Sequence, residues 1–204
     1  MKLLSLGCVV ASAIALLSAG DGVAARPLRF ERRSQASHSG GYAVAPAPAH
    51  GAGGYQSQAA DYSAVDPMAA QLLCLVNKER RRVGVQPVSI HPAFMRSALE
   101  HSMYQARVGE MTHSDPENGS AGARLARANF RMKTASENIA EAPAGSAETV
   151  FKMWCGDASH YGNMVDPDAD FMGVSNYKGY WTQDFGSSLD KVPASEYMSL
   201  PGTC

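Results

Sequence analysis

Ser146-Ala147-Glu148-Thr149-Val150-Phe151-Lys152-Met153-Trp154-Cys155-Gly156-Asp157-Ala158-Ser159-His160-Tyr161-Gly162-Asn163-Met164 carries the clearest signal in the chain. Ala147, Val150, Phe151 and Trp154 recur at i, i+3, i+4 and i+7, one face of an amphipathic helix. Ser146 can cap its start, Glu148 in the first turn suits the helix dipole, and Gly156 can end it. Asp157 and His160 follow this buried anchor, and both are groups that chemistry can use.

Upstream, Asp66-Pro67 places a capping carboxylate before a proline at the first helical position. Met68, Leu72, Leu75, Val76 and Val83 form the stripe of this first helix, and Gly84 ends it. A second helix is expected from Pro92 to Val108, with Phe94, Met95, Ala98, Leu99, Met103 and Ala106 facing inward and Gly109 as its stop. The polar loop Glu110–Gly119 leads to a short helix around Ala123–Asn129. Downstream, Phe171–Tyr177 and Tyr180–Phe185 are aromatic-rich runs separated by Lys178-Gly179, which reads as a β-hairpin. Helices followed by hairpin strands predict an α+β domain, its helices covering a mostly antiparallel sheet.

The chain has 204 residues, of which 45% are hydrophobic and 18% charged, enough for one packed domain with tails. A formal net charge of -1 leaves no electrostatic footprint for nucleic acid or an anionic membrane. Lys2, the apolar run Leu3–Leu17 and the small residues up to Ala25 read as a secretory signal over residues 1–25. The run is too short to span a membrane, so the expectation is a secreted, extracellular protein that is not transmembrane. Residues 26–65 are rich in Gly, Ala, Ser and Pro and read as a disordered linker or pro-segment, with a dibasic Arg32-Arg33. The domain is then 66–190, and 191–204 is a tail ending on Cys204.

Removal of the signal takes Cys8 and leaves three cysteines. An oxidising compartment favours a disulfide, and Cys74–Cys155 is the expected pair, with Cys204 as a competing partner. Asn118-Gly119-Ser120 is a glycosylation sequon, expected to be occupied in a eukaryotic host. Among polar residues, His113, Glu137, Asp157 and His160 are candidates for a divalent metal site or a charge network. Their spacing matches no compact zinc signature, and His101, inside the second helix, reads as structural. Covalent catalysis is disfavoured: Cys155 sits in an oxidising context and Ser159 lacks a glycine-flanked elbow.

Several segments, taken in order, resemble the CAP superfamily of cysteine-rich secretory, antigen-five and pathogenesis-related proteins (the SCP domain), in its compact fungal or bacterial-like branch. They are Leu75-Val76-Asn77-x-x-Arg80, Glu100-His101-Ser102, Met111-Thr112-His113-Ser114 and Ser136-Glu137-Asn138-Ile139-Ala140. Trp154 with His160-x-x-Asn163-Met164, and Tyr180-Trp181-Thr182-Gln183-Asp184-Phe185-Gly186, complete the set. The resemblance implies a three-layer α-β-α sandwich and a cavity with two histidines and two acids. His113 and Glu137 match the first histidine and first acid, and Asp157 matches the second acid. Tyr180 stands where the second histidine would be, and His160 is the substitute ligand. The implied function is a secreted, non-enzymatic module that binds a lipid or sterol, or a host or cell-surface protein. The short segment Ala158–Gly162 weakens the sterol version. The alternative is a metal-dependent hydrolase using the His113/Glu137 cavity. No cofactor is expected to be required, and zinc is expected to bind at most weakly.

Overall fold

The computed structural model describes residues 66–199; the expected signal, the linker and Cys204 lie outside them. Asp66 accepts a hydrogen bond from the Met68 N–H at 2.9 Å and starts α1 (Pro67–Arg82). A two-residue strand β1 (Ser89–Ile90) leads through the cap His91 into α2 (Pro92–Val108), whose end at Gly109 takes a positive φ. Next come α3 (Ala121–Arg127), β2 (Met132–Glu141), α4 (Ala147–Cys155), α5 (Ala158–Met164), β3 (Phe171–Tyr177) and β4 (Tyr180–Ser188). The anchor helix is capped by Ser146 and ends at Gly156, as its pattern requires.

The sheet order is β1-β3-β4-β2. It is a mixed sheet: β3–β4 and β2–β4 are antiparallel, but β1 runs parallel to β3. The hairpin turn is the expected Lys178-Gly179, with φ of +53° and +88°, the conformation of the tight turn that matches strand twist. The Ser136–Ala140 segment is part of a ten-residue strand, which its irregular burial pattern hides from a period-2 reading.

Side chains alternate along each strand, so both sheet faces are used. On β4, Thr182 and Asp184 meet Ser102, Gln105 and Ser97 of α2. Trp181 and Phe185, on the other face, join Leu72, Leu73, Val76 and Trp154 in the main core. Helices therefore cover both faces of this α+β domain. Two tryptophans pin the strands and helices by indole N–H bonds: Trp154 to the Ile139 carbonyl at 3.0 Å and Trp181 to the Ala142 carbonyl at 3.1 Å. Gly173 lets α2 lie against β3, since a Cβ there would fall 2.1 Å from the Phe94 carbonyl carbon.

The motif residues of α1 are structural anchors. Asn77 makes two 2.9 Å bonds with the Val88 main chain. The buried Arg80 guanidinium donates to the carbonyls of Gln86, Met164, Asp166 and Ala169 at 2.6–3.0 Å, tying α1 to the turn before β3.

One expectation about α2 is corrected. Leu99 and Met103 are 42% and 45% exposed, and the helix instead buries Ser97, His101, Ser102 and Gln105. These polar groups have hydrogen-bonding partners on the sheet and in the loop after α2, so the buried face is mixed: Phe94 and Ala98 are fully buried as expected, and its later turns are polar. Val83, expected on the α1 stripe, is likewise exposed at 39%, and Leu73 takes a core place instead.

Candidate functional site

The site forms where α2, the loop after it, α3 and the β2–β4 pair meet. In the β2–β4 register Glu137 lies directly opposite Asp184, which sets two carboxylates side by side on one face. Glu137 is bracketed by three cationic or protonatable groups. His113 Nδ1 lies 2.8 Å from its Oε1, His101 Nε2 lies 3.6 Å from the same oxygen, and the Arg124 guanidinium donates to its Oε2. Arg124 also donates to Ser97 Oγ at 3.0 Å and the Gly119 carbonyl at 2.8 Å, and stands 3.5 Å from Asp184 Oδ2. The Ser97 hydroxyl donates to Asp184 Oδ2 at 2.5 Å.

His101 supports the loop. Its ring nitrogens face Asp115 Oδ2 at 3.2 Å and the Thr112 carbonyl at 2.8 Å. Asp115 in turn accepts from the main-chain N–H groups of Glu117 and Asn118 and from the Asn118 side chain. The structural reading of His101 therefore holds, and the sequon asparagine has its amide against a buried carboxylate.

Burial and charge set the protonation. Burial pushes the Asp184 carboxyl up to about 7, and the neighbouring Glu137 charge adds to this. Burial alone would also raise Glu137, but the His113 hydrogen bond and the Arg124 charge outweigh it and hold the group below the ordinary range. The Glu137 hydrogen bond raises His113, whose side chain is 56% exposed. Below neutrality the centre is thus a largely protonated Asp184, an ionised Glu137 and a guanidinium between them.

The other sequence candidates lie elsewhere. Asp157 caps α5 by accepting from the Ser159 and His160 N–H groups at 2.9 Å, and His160 Nδ1 is 3.5 Å from it. Glu137 points to the α3 side, whereas the adjacent Asn138 points to α5, reaching the His160 carbonyl at 3.1 Å. Tyr180 pairs with Glu141 at the far end of the strands, four positions from the Glu137–Asp184 pair, and burial followed by that acid raises its pKa. Among the described residues, no three His, Cys, Asp or Glu side chains are grouped to hold a metal ion. The donor set does not fit a divalent metal: both Glu137 oxygens already face donors, and a buried guanidinium lies against them.

Arg124 and Asp184 were missed by the sequence reading. Each left a faint trace. Arg124 shares the buried face of a short helix with Ala121 and Leu125, and Asp184 is a charged residue inside the aromatic-flanked run Trp181–Phe185 of β4. Cys74 and Cys155 are both disulfide-bonded, on helices α1 and α4 that pack together.

A cleft of about 460 Å³ opens beside this network, between α2 and the tip of the β3–β4 hairpin. Met103, Tyr104, Ala106, Arg107, Tyr177 and Lys178 line it. The Arg107 guanidinium carbon sits 5.3 Å from the Tyr104 ring centre, and the Lys178 ammonium 5.5 Å from that of Tyr177. Tyr104 stacks on His101 at 6.2 Å, so the cleft and the charge network share a wall.

A curated protein of Bacillus subtilis (strain 168), "Uncharacterized protein YkwD", is 29% identical over 125 residues, 60% of this chain. The chain spans about half of that relative's length, 48%. An extracellular protein containing a SCP domain from Bacillus anthracis str. Ames superposes with a TM-score of 0.56 at 25% identity, covering 59% of this chain and 40% of that one. An outer surface protein of Borrelia burgdorferi shares the fold, with a TM-score of 0.53 at 15% identity over 58% of this chain and 91% of that one. The profile of the cysteine-rich secretory protein family matches residues 73–185, more than half of the sequence, and the chain belongs to that family, CAP.

Proposed function

We propose that the chain is a secreted, non-enzymatic binding module of the CAP family, and that it takes an amphipathic anion such as a fatty acid. The observation that carries this reading is the cleft beside α2. Its volume, about 460 Å³, lies in the range of roughly 300–1,000 Å³ typical of small-molecule sites. Met103, Ala106 and the two tyrosine rings offer apolar surface for a chain, and the Lys178 ammonium offers a cation for a carboxylate, whereas Arg107 is already paired with Glu117. Secretion draws support from the N-terminal sequence and from neighbours described as extracellular or outer-surface proteins. The non-enzymatic part draws support from Glu137, whose oxygens both face partners within the protein.

The test is displacement of a fluorescent fatty acid from the purified secreted protein. Saturable binding is expected, weakened about tenfold in Tyr177→Ala/Lys178→Glu, equivalent to about 1.4 kcal/mol. Equal binding by the double variant and the parent refutes the cleft. Absence of any saturable binding refutes the lipid reading.

A further inference from the structure

Two carboxylates beside a histidine invite a cation, and this site already contains one that is part of the chain. We infer that Arg124 is the resident cation of the site: its guanidinium stands between the cross-strand carboxylates of Glu137 and Asp184 and excludes a divalent ion from the Glu137–His113 pair.

Four observations carry this. Arg124 has a fully buried side chain and faces four acceptors, on Ser97, Gly119, Glu137 and Asp184. A guanidinium so enclosed cannot swing away to admit another cation without leaving those acceptors unpaired. Glu137 Oε2 faces Arg124 and its Oε1 faces His113 and His101, so the directions a metal would use are taken. Asp184 Oδ1 is buried with no hydrogen-bond partner, so the ionised form of this carboxyl is poorly compensated there. The Arg124 guanidinium lies against both Glu137 and Asp184, so its charge already occupies the place a dication would take. The absence of a second histidine at Tyr180 is then coherent with the rest of the site, because no metal needs that ligand.

The experiment is calorimetric and thermal-shift titration of the full chain with zinc, magnesium and calcium chlorides. The parent and Glu137→Gln should respond alike, within about 1 °C. Arg124→Met should be less stable and should gain a saturable, cation-dependent rise in Tm of at least about 3 °C, because bound ligand stabilises only the folded state. That gain should vanish in Arg124→Met/Glu137→Gln. One-to-one metal binding by the parent that is lost in Glu137→Gln overturns the inference. So does a folded Arg124→Met variant with no added cation response. If Arg124→Met does not fold, the double variant decides: removing both charges should restore folding, and a double variant no more stable than the single one overturns the counter-ion role.

Discussion

Asp184→Asn should change the pH dependence of stability in a direction opposite to that of most carboxylate substitutions. The carboxyl is fully buried on β4, facing Glu137, Arg124 and Ser97. In the folded protein it holds its proton to about pH 7, against an ordinary value of 3.8. Between those values the folded state carries a proton that the unfolded chain has released. This stability is therefore fully present below pH 3.8 and is lost as pH rises through 7. A rise of about three pH units at 1.36 kcal/mol each corresponds to about 4 kcal/mol. Two groups frame the window. Glu137, held low, loses its contribution only as pH falls through its depressed value, below the ordinary 4.5. His113, held high by its hydrogen bond to Glu137, loses its contribution as pH rises above 6.5, and solvent screening at 56% exposure keeps that contribution small. Urea unfolding followed by circular dichroism from about pH 5 to pH 8 should show the parent losing about 2–4 kcal/mol. Asparagine mimics the neutral acid, so Asp184→Asn should be nearly flat over the same range and more stable than the parent at about pH 8. A parent whose stability is constant or rises with pH, or a variant less stable than the parent at the alkaline end, refutes the assignment of the proton to Asp184.

Two further outcomes test the frame around the site. Arg80→Ala should destabilise the domain by about 3 kcal/mol or more, because four main-chain carbonyls lose their buried donor; a melting temperature within about 2 °C of the parent would contradict that role. Peptide mapping without reduction should recover one peptide joining Cys74 to Cys155, the pairing we propose for these two oxidised cysteines; a bridged peptide containing Cys204 rules it out.

The sequence determined the frame of this protein. Helices α1, α2 and α4 announce themselves through local rules, because a capping Asp66 or Ser146, a proline at the first turn and a terminal glycine act within a few residues. The hairpin is equally local, since Lys178-Gly179 needs only its own positive φ values. The family motifs named His113 and Glu137, and the structure joins them at 2.8 Å. Tertiary structure decided the rest. Register alone sets Glu137 opposite Asp184, far apart in the chain, and only the packing of α3 brings Arg124 between them. Hydrophobicity placed Phe94 and Ala98 inward but not the polar part of that face of α2, because Ser97, His101, Ser102 and Gln105 become favourable to bury only when Asp184, Asp115, Thr182 and the loop supply their hydrogen bonds. Asp157 reads as a ligand in the chain but serves as a helix cap in the fold, since α5 begins where α4 had been expected simply to stop. Hydrophobic pattern and capping are properties of neighbours in sequence, whereas the charge state of a buried carboxyl depends on what distant segments place around it.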